Sequence, residues 1–153
     1  MTLLDQTEKE MIDDTRERAF LFSPDGNTII LNEEAEEGRN AIDFSKTDRN
    51  LFEGKVLIHS HPNTDIAFRT FTNPDISFFF SRKLKEFRVV NGRTVLSLVH
   101  DDNCSCNHDP LNILMELNRF LDLKQGVSEC SVNEFLRSFS CLSLTKHSIE
   151  ISS

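Results

Sequence analysis

The stretch KVLIHSHPNTDIAFRTFTNPDISFFF, residues 55–80, decides how the chain is read, because it joins a strand pattern to a helix pattern across two closely spaced histidines. From Lys55 to His61 the residues alternate along an extended chain: Leu57, His59 and His61 fall on one side, Val56, Ile58 and Ser60 on the other. Pro62 brings no N–H and naturally ends the ladder. Beyond it, Ile76, Phe79, Phe80, Leu84 and Phe87 recur at helical spacing, which predicts an amphipathic helix over 75–87 with one buried face. Thr72 and Asp75 at its start form a capping-box pattern, the hydroxyl taking the Asp75 N–H and the carboxylate reaching back.

Working outward, residues 16–22 read as a strand, 23–27 as a turn-forming SerProAspGlyAsn, and 28–31 as a β-branched strand, together a hairpin. Residues 4–15 suggest a short polar helix. The acidic run 33–40 is too polar to pack and predicts a solvated loop. A second hairpin joins 87–90 to 93–99 around Asn91-Gly92, a pair suited to a type I′ turn because both positions need positive φ. A polar loop over 101–110 leads to a helix near 111–123, with Leu114, Leu117, Phe120 and Leu121 on one face, and a second short helix is expected over 132–139. The order describes a mixed α+β domain, read as a core over 1–103 and a helical C-terminal extension over 104–153 packed on the same domain.

Composition narrows the function classes. With 153 residues, 38% hydrophobic and 27% charged, the chain can bury one respectable core and should be globular. Its formal charge of -8, from 17 Lys and Arg against 25 Asp and Glu, argues against a dedicated nucleic-acid binder, whose affinity rests on neutralising phosphates. A basic or neutral partner fits better. The start MTLLDQTEKEMIDD is acidic where a secretion signal would be basic and then apolar, and no run of eighteen apolar residues occurs. The expectation is a soluble cytoplasmic protein with no membrane contact. In that setting Cys104, Cys106, Cys130 and Cys141 are reduced thiols rather than a disulfide framework. Cys104 and Cys106 with His108 could form a zinc clip, its fourth ligand coming from Cys130, Cys141 or His147, but the spacing matches no known pattern and a solvent-facing loop is the plainer reading.

The histidine pair carries the sharper chemistry. A zinc ion needs neutral imidazoles and a carboxylate converging at about 2 Å, and a catalytic site leaves one position open. His59 and His61 share a strand face and can both reach one ion, and Asp75, at the start of the next helix, can fold back to join them. Asp65 is the rival third ligand. Taken alone, a His-x-His pair is as readily two surface histidines beside an ordinary helix cap.

The whole array, HisSerHisPro, then Thr72-x-x-Asp75, with Glu17 upstream just before an apolar strand, resembles the signature of the JAB/MPN (JAMM) metalloprotease family, most of all its compact bacterial and phage members. The likeness covers about residues 16–100. It implies a mostly antiparallel central sheet flanked by helices, with Zn2+ held by His59, His61 and Asp75. It further implies Glu17 as general base, passing a proton to the leaving amine. Thr72, at the family's serine position, would help hold the developing oxyanion. The loop of Pro62 to Pro74 is longer than the family's usual one, and threonine adds a methyl beside the site. Glu33, Glu34, Glu36, Glu37 and Glu53 also precede the histidines, but the first four lie in the acidic run and Glu53 in a turn. Family members cleave peptide or isopeptide bonds, often behind a ubiquitin-like modifier, so a protein or peptide substrate is expected.

Other users of His-x-His fit less well: a cupin barrel has no place for strong helices, and an amidohydrolase barrel needs about 250 residues. Two alternatives stay within the same fold, a catalytically silent scaffold and a RadC-like protein of DNA metabolism.

Overall fold

A six-stranded sheet organises the chain, in the order β2-β1-β3-β4-β5-β6. The strands are β1 (Arg18–Phe22), β2 (Ile29–Glu34), β3 (Val56–Ser60), β4 (Glu86–Asn91), β5 (Thr94–His100) and β6 (Leu142–Ser148), and the helices are α1 (Leu3–Glu10), α2 (Asn73–Ser81) and α3 (Glu129–Arg137). This computed structural model describes residues 1–36, 42–61, 70–101, 115–117, 119, 129–137, 139 and 142–150. All neighbouring strands are antiparallel except β3 and β4, which run parallel with α2 crossing between them. The expected mixed α+β architecture, with a mostly antiparallel sheet, is therefore present.

Alternation along each strand divides the apolar side chains between two faces. Ala19, Leu21, Leu57, Phe87, Val89, Leu96 and Leu98 face α2 and α3, joined by Phe52, Ile76, Phe79, Val132 and Phe135. Phe20, Phe22, Val56, Ile58, Val90 and Val95 face the other way, onto Leu4 and Met11 at α1. The period-two reading of 55–61 is thus correct in both directions. A Phe79→Ala variant empties a fully buried ring from the larger core. It is expected to lose about 3–5 kcal/mol of unfolding free energy, read from urea denaturation.

Four local readings change. The helix predicted over 75–87 stops at Ser81: Arg82 caps it, Lys83 takes a left-handed φ of 55°, and the chain turns to run beside β3 through a Lys85 N–H to Lys55 carbonyl bond. Leu84 and Phe87 stay apolar because the turn and β4 face the same core, which prolonged the apparent helical period. The acidic run is not loop throughout, since β2 extends to Glu34, with Glu33 opposite Ala19 and Glu34 opposite Arg18. β2 is an edge strand, where the backbone pairs while carboxylates reach solvent and discourage a further strand. Glu34 meets Arg16 at 2.9 Å.

At the second hairpin Asn91 pairs with Thr94, so the turn residues are Gly92 and Arg93. Gly92 alone of these has positive φ, 58°, the pattern of a type II′ rather than a type I′ turn. Finally, residues 142–148, within the region expected to be helical, form β6 and extend the sheet beyond β5. Leu144 is its single buried residue, with Leu142 half-buried against the same core, too short an alternation to read. The helix expected over 132–139 exists as α3, shifted towards the N-terminus. Of that expected over 111–123, residues 115–117 are helical with Leu117 buried, and the rest lies outside the described residues. Among the described residues no helix is long and apolar enough to cross a membrane.

Candidate metal centre

β3 delivers His59 to the α2 side of the sheet, and His61 follows just past the strand end. Both rings are buried, 2% and 4% exposed as residues. Their Nε2 atoms approach to 2.9 Å. Asp75 Oδ2 lies 3.3 Å from His59 Nε2 and 3.4 Å from His61 Nε2. Three donor atoms thus form one small triangle. An ion about 2.0–2.1 Å from each of three tetrahedral ligands keeps those ligands roughly 3.3–3.4 Å apart, so the donor set fits zinc within a few tenths of an ångström.

The second nitrogen of His59 explains why Nε2 is available. Nδ1 lies 3.0 Å from the Arg88 carbonyl, which can only accept, so Nδ1 carries a proton and donates it. In the neutral ring Nε2 then keeps its lone pair for the site, the usual outer-shell arrangement of a ligating histidine. The Phe87 ring, 4.5 Å away centre to centre, packs against the imidazole. His61 is braced through its backbone: its N–H donates to the Val90 carbonyl at 2.9 Å, and Asn91 Nδ2 donates to its carbonyl at 2.8 Å.

Asp75 serves two structures at once. Its Oδ2 accepts the Thr72 N–H at 2.9 Å while facing both histidines, and its own N–H donates to Thr72 Oγ1 at 3.3 Å. The capping box and the triangle share one carboxylate oxygen. Burial disfavours its charge, yet His59 and His61 overcome that and hold Asp75 far below the ordinary carboxylate range. His59 shows the reverse balance. Burial works against its cation, but Asp75, Glu17 and the Arg88 carbonyl outweigh it and raise its pKa. Removing the Thr72 hydroxyl, as in Thr72→Ala, should cost about 1 kcal/mol in thermal unfolding, and Thr72→Ser should cost much less.

Glu17 precedes β1 on the side of Ala19, which stands opposite His59. A carboxylate oxygen of Glu17 and ring nitrogens of His59 and His61 all lie within 4.8 Å of one another. The three form a possible metal-binding group in their own right, so Glu17 is close enough to act on the same centre as the Asp75 triangle. Burial pushes the Glu17 carboxyl above its ordinary value, the two histidines pull the other way, and Asp75 adds to the rise.

All five residues singled out in the sequence therefore belong to one neighbourhood. Of the other candidates, His147 lies elsewhere: it sits on β6 and meets Glu8 of α1 at 3.0 Å, on the opposite sheet face. Asp65, Cys104, Cys106, His108 and Cys141 lie outside the described residues, as does the Cys130 side chain. Sequence reasoning missed Arg88, Phe87 and Asn91 as supports. Asn91 was hidden by its turn-like dipeptide, and Arg88 acts through a carbonyl that no side-chain pattern betrays. Comparison of the chain with protein-family models, curated proteins and solved structures gives no match.

Proposed function

We propose that the chain is a zinc-dependent metallopeptidase or isopeptidase of the JAB/MPN (JAMM) type. One observation carries the reading: His59 Nε2, His61 Nε2 and Asp75 Oδ2 converge within 2.9–3.4 Å, with the Glu17 carboxylate beside them. The β3-α2-β4 crossover that brings the ligands together, within a mostly antiparallel sheet, agrees with such a fold.

His59, His61 and Asp75 would hold the ion. Zinc in such a site acts as a Lewis acid and makes water acidic enough to ionise near neutral pH. Glu17 accepts the proton of the attacking water and delivers it to the leaving amine, a role suited to a half-buried carboxyl with an upward-shifted pKa. Thr72 Oγ1 accepts a backbone N–H within the cap, which leaves its O–H proton to donate to the developing oxyanion. The substrate is a protein or peptide, with the C-terminus of a ubiquitin-like modifier as the leading class, and the setting is cytoplasmic.

The test is metal analysis of the purified chain together with cleavage of reporter fusions behind ubiquitin-like proteins and plain peptides. One zinc per chain is expected, with cleavage lost to a chelator and restored by zinc. A wild type that neither carries nor takes up zinc would overturn the reading.

A further inference from the structure

Ser60 stands between the two histidines yet belongs to the other side of β3, with Val56 and Ile58, so it does not face the metal centre. It is 1% exposed. Its Oγ accepts the Arg18 N–H at 3.0 Å, across 42 residues of sequence. That N–H belongs to the peptide unit joining Glu17 to Arg18. The carbonyl of the same unit accepts the Ala35 N–H at 2.8 Å. One peptide plane is thus held from β2's side at its oxygen and from β3 at its nitrogen. The Arg18 side chain adds a third tether, with Nε 3.0 Å from both Asp14 carboxylate oxygens.

Position makes the serine bond different from an ordinary rung. The paired register of β1 and β3 reaches Ala19 opposite His59. Just beyond it the Ser60 hydroxyl carries the connection, at the level where Glu17 must be placed against His59 and His61. A small side chain is needed to bend into the sheet plane there, and an acceptor is needed to receive the N–H. Alanine satisfies only the first requirement.

Building on the metallopeptidase reading, we propose that Ser60 is the positioning residue for Glu17. Its hydroxyl ties the Glu17–Arg18 peptide to the strand that supplies the histidine ligands, so base and metal ligands move as one unit. Ser60 touches neither substrate nor ion and acts through Glu17.

The test compares Ser60→Ala and Ser60→Thr with the wild type, using amide hydrogen exchange, zinc titration against a chromophoric chelator, and cleavage of whichever fusion the wild type cuts. In Ser60→Ala, exchange at the Arg18 amide should quicken about tenfold, more than at Phe20 and Phe22, while zinc affinity stays within about twofold. The kcat should fall about tenfold with KM unchanged, and Ser60→Thr should recover both exchange protection and kcat. Should Ser60→Ala not fold, Ser60→Cys, close in size and a weak acceptor, takes its place with the same expectations. Unchanged Arg18 exchange, an equal rise along all of β1, or a threonine variant that behaves like alanine would each refute the proposal. Because exchange is read without a substrate, a wild type that cleaves nothing sinks the peptidase reading while Arg18 protection still decides the role of Ser60.

Discussion

A His59→Ala, His61→Ala double variant is expected to lose zinc, its affinity falling well beyond the roughly 10–100-fold that changes in outer-shell partners cost. Two of the three converging donors disappear, and both imidazoles with them, leaving only the Asp75 and Glu17 carboxylates at the site. Elemental analysis of wild type and variant, purified identically, reads the result. Undiminished zinc in the variant would remove the triangle from consideration. The metal-free forms should differ as well. Asp75 has a depressed pKa in the folded state, so its contribution to stability is present above the unfolded carboxylate value and is lost as pH falls through the folded one. His59 has a raised pKa, so its contribution is complete below the unfolded imidazole value and is lost as pH rises through the folded one. The stability advantage of metal-free wild type over the double variant should therefore be largest between about pH 4 and about pH 6.5, shrinking on either side. Urea unfolding across this range, with chelator present, measures it.

The second large effect is expected from Glu17→Gln: zinc retained at wild-type level and hydrolysis reduced about 10²–10⁴-fold. The amide keeps the shape and a carbonyl acceptor but cannot take a proton. Wild-type kcat should climb with pH as the Glu17 carboxyl ionises. The variant should lack that rise. Full activity in Glu17→Gln would assign the proton transfer to another group, and loss of zinc with it would make Glu17 a ligand, which its closeness to both histidines allows.

How much of this was legible in the sequence depended on whether a feature lives in side chains or in the backbone. Strand alternation placed Leu57, His59 and His61 on one face and Val56 and Ile58 on the other, and the structure keeps that division. Thr72 and Asp75 announced a helix start, and the cap is there. The end of that helix was not legible, since Leu84 and Phe87 are apolar for the sake of a core reached by a turn and a strand. β6 escaped because an edge strand buries little: its pattern offers one buried residue, Leu144. Within the site, the groups that could be named were those whose chemistry needs a particular side chain. The groups that orient them, the Arg88 carbonyl and the Val90 carbonyl, look like any other backbone and depend on register.

Arg88 also links the two sheet faces. While its carbonyl holds His59, its side chain reaches Glu8 of α1 at 2.5 Å and pairs with Glu86, which accepts from Ser97 Oγ at 2.8 Å. Loosening α1 would therefore be felt behind the histidine.

The pairing of β5 with β6 has a consequence for biosynthesis. β1 to β5 and every residue of the candidate metal centre are made before residues 142–148, so the nascent sheet ends in β5, a seven-residue strand that includes Leu96 and Leu98, with one row of peptide groups unsatisfied. Until β6 docks, that apolar strand is the sheet edge and a template for another chain; β6, mostly polar and exposed, then replaces it with a less adhesive edge. A stop codon ahead of Leu142 would leave β5 as the sheet edge, and such a product is expected in the insoluble fraction more than the full sequence is, even though it encodes every residue of the candidate metal centre.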